Sequence, residues 1–260
     1  MANLTGNLMA ASAIDDADPA NALYLKLKAA SKNQVQMVRD LGGVGEPGLN
    51  ALMRFLADYH QTLVTAPSVA DDITIKAPGN TVLPLVGTIY QVLFSSGSTA
   101  ATVFLQTYFP QGVVPLRSEA AIDYMPLQQL LAEQNFQAAD QLTLQKMCEV
   151  VGAAAVQRKW LYFTEIEQFP IADLQTLNAL WLAHSEGRFG FSIQRELWLS
   201  VGKNWDQLWS KIGWRSGSTW TRYPQGFTWV LSAPRGHLPL SNQLRGVRGI
   251  ASLLAHPAWS

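Results

Sequence analysis

The sequence predicts an all-α chain: an N-terminal helical bundle, then a second helical core that carries one long irregular loop. Three observations predict it. Apolar residues recur at helical spacing in one short segment after another, each bounded by cap or proline signals. Strand-like alternation is confined to Phe227–Leu231. From Gly213 to Pro239 the helix signals stop, over a span with four glycines, three prolines and three tryptophans. A loop that long in a compact domain is usually functional or disordered, and Trp220, Phe227 and Trp229 are too apolar to leave in water.

Residues 1–18 read as a flexible N-terminus. Asp18-Pro19 is an N-cap and first-turn proline that opens a helix through about Ala30. Ser31-Lys32-Asn33-Gln34 resembles a capping box ahead of Val35, Met37, Val38 and Leu41, and Gly42-Gly43 stops that helix. Glu46-Pro47 starts a third helix, with Leu49, Leu52, Phe55 and Leu56 on one face. Further helices fit Asn80–Phe94 and Thr99–Tyr108. Together residues 19–110 predict a small antiparallel bundle. Phe109-Pro110-Gln111-Gly112-Val113-Val114-Pro115 reads as a linker, so a boundary is placed at 111–118.

The core is expected over 119–260. Its helices are Tyr124–Leu131, Phe136–Val151, a strong one between Pro170 and Ser185, Phe191–Ser200 and Trp205–Ile212. A last helix is expected from about Leu240 to Ala255. On that helix Asn242, Arg245 and Arg248 form one polar stripe, with Leu244, Val247, Leu253 and Leu254 opposite. Such a stripe is ordinarily a solvated face. It also suits an anion, because the guanidinium fork binds carboxylate or phosphate at two points.

Charge is uneven along a chain whose net charge is zero. The first 140 residues hold twelve acids against seven Lys/Arg. After Asp206 there is no acid, while Lys211, Arg215, Arg222, Arg235, Arg245 and Arg248 follow. All nine tryptophans lie from Trp160 onward. Most of those rings fit a helical core. Trp220, Tyr223, Phe227 and Trp229 differ, because they sit in the irregular loop, where a binding wall is the alternative. Flat apolar surface next to fixed positive charge suits a flat apolar molecule bearing carboxylates or phosphates.

Other classes are disfavoured. Zero net charge and few lysines weaken a nucleic-acid module that stacks bases. Cys148 is the only cysteine, which fits a reducing compartment and excludes an intramolecular disulfide. The first twenty residues carry Asp15, Asp16 and Asp18 and no basic residue, unlike a signal or transit peptide. No run reaches the ~18 apolar residues of a membrane span. His60, His184, His237 and His256 are scattered, with His237 the best axial-ligand candidate. Nucleotide-binding and hydrolase motifs are absent, and Glu165 and Glu167 diverge on a helix. A binding protein is therefore favoured over an enzyme. The competing class is an adaptor whose aromatic and basic surface docks a protein.

Four stretches carry a family resemblance: Arg188–Gln194, Lys211–Trp214, Gly226–Trp229 and, above all, Leu231–Arg248. They resemble the Genomes Uncoupled Four family of tetrapyrrole-binding regulators of magnesium chelatase, in its cyanobacterial form. The likeness covers about Pro115–Ser260. It implies a helical core shaped like a cupped hand that binds protoporphyrin IX and magnesium protoporphyrin IX. It implies a non-catalytic porphyrin carrier that stimulates magnesium insertion on the way to chlorophyll, acting with the large (H) porphyrin-binding subunit of magnesium chelatase. It implies no protein-ligated metal, and a cytoplasmic monomer, peripheral at most to thylakoid membranes. The family's pocket motifs fall on Trp220, Arg222, Tyr223 and Phe227 in the loop and on Asn242, Arg245 and Arg248. Phe136, Phe163 and Phe191 match apolar positions across the cup. Tyr223 stands where some members carry tryptophan.

Overall fold

The computed structural model describes residues 18–65, 82–240 and 247–259. Within them the chain is helical, as expected, apart from a two-strand hairpin. Helix α1 (Pro19–Ala29) begins as read: the Asp18 carboxylate accepts from the Ala20 amide at 2.9 Å. Helix α2 (Gln34–Gly42) departs from expectation, because no capping box forms. Asn33 is left-handed, with φ 58°, and makes no side-chain cap. The Gln34 amide instead reaches back to the Leu27 carbonyl at 3.3 Å. Helices α3 (Glu46–Thr65), α4 (Val82–Ser95) and α5 (Thr99–Tyr108) complete the bundle.

A small network ties α1 to α3. The Tyr24 hydroxyl donates to Asp58, Lys28 bonds both, and the Arg54 guanidinium stacks 4.4 Å from the Tyr24 ring centroid. The stretch expected as a linker is packed rather than exposed. Phe109, Val113 and Val114 are buried, and the Gln128 side chain donates to the Gln111 carbonyl. One continuous apolar core runs from Leu27 to Ala258.

Helix α6 (Met125–Ala132) and helix α7 (Phe136–Val151) lead to two short helices, α8 (Ala153–Arg158) and α9 (Phe163–Ile166). Helix α10 (Ile171–His184) is the central rod: Leu174, Leu177, Leu180 and Trp181 are fully buried. Asp173 anchors its start by accepting from Ser118, from the Glu119 and Ala120 amides (2.9 and 3.2 Å) and from the Tyr124 hydroxyl (2.8 Å). Such a fan of donors offsets the cost of burying a carboxylate.

The bundle docks on this rod through α4. Gly87 is the closest approach: a Cβ there would strike the Ala183 backbone. Around it Tyr90 meets the His184 ring edge to face, Gln91 donates to Ala132, and Arg39 pairs with Glu186. Arg39, Gly87, Gln91, His184 and Glu186 line a cavity of about 130 Å³ that also touches Leu231.

Helix α11 (Phe191–Ser200) and helix α12 (Trp205–Lys211) precede the long loop. The loop holds strands β1 (Arg215–Ser216) and β2 (Thr219–Trp220), antiparallel with Arg215 opposite Trp220. The strand expected at Phe227–Leu231 does not form; that segment is irregular. The last helix, α13, spans Val247–Ala255. Leu240 is not helical, and residues 241–246, where the expected start of about Leu240 would otherwise fall, lie outside the described residues. Val247, expected on the apolar face, is exposed, whereas Ile250, Leu253 and Leu254 are buried.

Candidate functional site

A ladder of indole rings explains why the loop holds a shape. Trp198, Trp205, Trp209 and Trp214 stack in succession, with centroids 5.0, 5.2 and 5.4 Å apart. Their sequence spacing carries the stack off the end of α11, along α12 and into the loop. Trp214 is buried, and its indole N–H donates to the His237 carbonyl at 2.8 Å. Beyond it Phe227 stacks on Trp229 at 5.7 Å, and Tyr223 meets both rings edge-on.

His237 closes the loop from within. Its Nε2 accepts from the Thr228 amide at 3.2 Å, so Nδ1 carries the proton and donates to the Ile212 carbonyl at 2.7 Å. Burial holds the ring below the ordinary histidine range. Both nitrogens are committed to backbone, the role of a structural histidine, so the best axial-ligand candidate among the four histidines has no free nitrogen to offer a metal.

The strap 233–240 is held as firmly. Arg188 donates to the Ala233 carbonyl at 2.9 Å, and Gln194 donates to the Gly236 and Pro239 carbonyls at 3.1 and 2.8 Å. Gly236 has φ +79°, and a Cβ there would lie 2.7 Å from Leu197. The turn therefore needs glycine on both counts.

The cations of the acid-free end divide into two kinds. Arg235 binds Glu196 through both guanidinium nitrogens at 2.8 and 2.6 Å. Arg215 pairs with Asp206 at 2.5 Å. Among the described residues Arg222 and Arg248 have no acidic partner, and both are exposed. Arg248 lies over an exposed ring, whereas the cation over the Trp220 ring is Arg215, 5.6 Å from its centroid. Arg222 is two residues from Trp220, which is 52% exposed and leans on Trp209 at 5.9 Å. The Arg248 guanidinium lies 5.6 Å from the Phe163 centroid, with that ring 36% exposed.

The expected residues that are described thus fall into three sets. Trp220, Arg222, Tyr223 and Phe227 share the loop. Phe163 and Arg248 are brought together where α9 packs on α13. Phe136 and Phe191 are corrected: they are 1% and 0% exposed and line no open wall. Phe136 stacks on Trp181 and meets Phe189 edge-on, while Phe191 packs near Trp259. They back the site. Asn242 and Arg245 lie outside the described residues.

The expectations missed Asp140. It is buried on α7, and its carboxylate accepts from the Leu240 amide. An acid four residues after Phe136, on the stripe that continues to Thr143 and Met147, was the signal. Among the described residues no group of three His, Cys, Asp or Glu side chains could hold a metal ion. No described helix is long and apolar enough to cross a membrane.

A family model described as GUN4-like matches residues 117–257. The chain is 48% identical over 232 residues to a Ycf53-like protein of Synechocystis sp., covering 89% of this chain and 92% of that one. It is 36% identical over 151 residues to a chloroplastic tetrapyrrole-binding protein of Arabidopsis thaliana, covering 55% of this chain and 57% of that one. The solved structure of GUN4 from Chlamydomonas reinhardtii matches with a TM-score of 0.53 at 39% identity, over 56% of this chain and 96% of that chain. A match over more than half the chain, with a relative this similar over nearly its whole length, places the protein in the GUN4-like family, the Genomes Uncoupled Four family its motifs resemble.

Proposed function

We propose that the chain binds protoporphyrin IX and magnesium protoporphyrin IX at the aromatic loop and the last helix. A porphyrin is a flat apolar ring with two propionates. It needs aromatic surface for the ring and cationic donors for the carboxylates. The observation that carries this reading is the pair Arg222 and Arg248: both exposed and without acidic partners among the described residues, with Arg248 over the exposed Phe163 ring, in a region whose other described arginines are tied to acids. The relative named as a tetrapyrrole-binding protein supports it.

In this reading the chain is a porphyrin carrier, not a catalyst. Trp220 and Tyr223 offer ring contact, with Phe227, 8% exposed, behind them; Arg222, Arg248, Arg245 and Asn242 hold the propionates. The tryptophan ladder keeps the loop in place before the ligand arrives, which lowers the ordering cost of binding. His237 is held by backbone, so shape and charge serve metal-free and magnesium forms alike. By presenting porphyrin to the large subunit of magnesium chelatase, the chain stimulates magnesium insertion, working in the cytoplasm or at the thylakoid surface.

Arg248→Ala tests the site. A charged hydrogen bond is worth about 1.5–3 kcal/mol, so affinity measured by tryptophan quenching should fall about tenfold or more. Unchanged affinity would remove Arg248 from the site. Purified magnesium chelatase assayed with and without the chain tests the stimulatory role; an unchanged rate would exclude it.

A further inference from the structure

Asp140 is buried where the fold alone would be served by a neutral acceptor. It sits on the second turn of α7 and is 3% exposed. Its Oδ1 accepts from the Leu240 amide at 2.5 Å, across a hundred residues of chain. The Tyr223 hydroxyl is the second polar group facing the carboxyl, and no charged side chain perturbs it among the described residues. Gln141, next to it on α7, is the other polar side chain near the Tyr223 hydroxyl. On the strap His237 is neutral and engaged elsewhere. In the loop Arg222 adjoins Tyr223 but is turned to solvent.

One carboxyl therefore holds the strap at Leu240 and lies near Tyr223 of the loop. Tyr223 meets both rings of the Phe227–Trp229 pair edge-on. Leu240 is the end of the strap from which the sequence continues to Asn242, Arg245 and Arg248. An asparagine would hold the Leu240 amide without a charge to desolvate. Burial pushes the Asp140 carboxyl up to about 7, against the pull of the Leu240 amide and the Tyr223 hydroxyl. Its charge is then in balance near neutrality. A dicarboxylate bound nearby disfavours the ionised form further.

We infer that Asp140 is a positioning residue of the tetrapyrrole site, holding Tyr223 and Leu240 in one arrangement and taking up a proton when an anionic tetrapyrrole binds. This rests on the proposed function above. The test titrates deuteroporphyrin IX, a soluble porphyrin dicarboxylate, into the full chain from pH 6 to pH 8. Wild-type affinity should strengthen about fivefold from pH 8 to pH 6, the effect of one unit of coupled shift from about 7 over that range. Asp140→Asn cannot ionise and should bind with a flat profile relative to wild type. Asp140→Ala loses the anchor and should bind about tenfold more weakly throughout. Tyr223→Phe removes a group that pulls the carboxyl down, so its midpoint should move to higher pH.

The inference is overturned if Asp140→Asn keeps the wild-type slope, or if Asp140→Ala binds as wild type does. Should Asp140→Ala fail to fold, the Asn pair decides alone. Should wild type bind no porphyrin, the proposed function fails separately. Asp140 is then judged without ligand, by near-ultraviolet circular dichroism of the loop aromatics. A transition near pH 7 in wild type and absent in Asp140→Asn supports the positioning role; no transition overturns it.

Discussion

Gly87→Ala tests how the bundle is joined to the core. A Cβ at this position would sit 2.5 Å from the carbonyl carbon of Ala183 and 2.7 Å from its Cα, where ordinary contact begins at 3.4 Å. The obstacle is backbone, so no side chain can rotate away. Helix α4 must retreat from α10 by about 1 Å, and overpacking of this kind costs about 1–3 kcal/mol, occasionally more. The retreat also stretches the bonds from Gln134 to Gln91 and to the His184 carbonyl, at 3.2 and 2.8 Å. A loss near the upper end, about 3 kcal/mol, is expected. Urea unfolding should show a midpoint about 1 M lower at unchanged slope. We propose that 119–260 is the tetrapyrrole unit, with 19–110 a bundle joined through 111–118. Porphyrin affinity should then change by less than about twofold, as for distant independent sites. A stability loss under about 1 kcal/mol would refute the packing argument. A parallel loss of affinity would refute the division into two units.

Two further stability measurements probe buried polar groups. Asp173→Ala strands the donors of Ser118, Glu119, Ala120 and Tyr124, so urea unfolding should show a loss of about 3–5 kcal/mol. His184 is buried with neither ring nitrogen bonded to protein, and burial lowers it from 6.5 to about 4. Below pH 6.5 the unfolded chain takes up the proton first, so stability falls as pH falls from 6.5 toward 4, by up to about 3 kcal/mol. His184→Leu should flatten that acid limb in urea titrations at pH 7 and pH 4.5; an unchanged limb would mean that another group titrates there.

Helix positions were legible because proline, asparagine and aspartate punctuate a 3.6-residue apolar period. Asp18, Asn135 and Asn204 each accept from a first-turn amide. Where two local solutions compete, the sequence did not decide. Ser31–Gln34 contains the letters of a capping box, but the tertiary pull of Leu27 on Gln34 wins. Phe109–Val114 has linker composition, yet its three apolar residues are buried. Phe136 and Phe191 show the same limit. Motif position places a ring near the site, but only packing reveals whether its face is open.

The acid-free end was a true signal read at too coarse a scale. Its acids are missing from the sequence after Asp206 but not from space. Helix α11 supplies Glu196 to Arg235, and the first turn of α12 supplies Asp206 to Arg215. These pairs come from just upstream, so the composition of the last fifty residues overstates the unpaired charge. The tryptophans divide in the same way. Trp214 and Trp209 are buried rungs that hold the loop, whereas Trp220 presents a half-open ring. A binding surface of this kind needs both sorts of each residue. Paired arginines and stacked indoles hold the frame rigid, and against that frame a few unpaired cations and open rings can meet a flat anion without first having to be ordered.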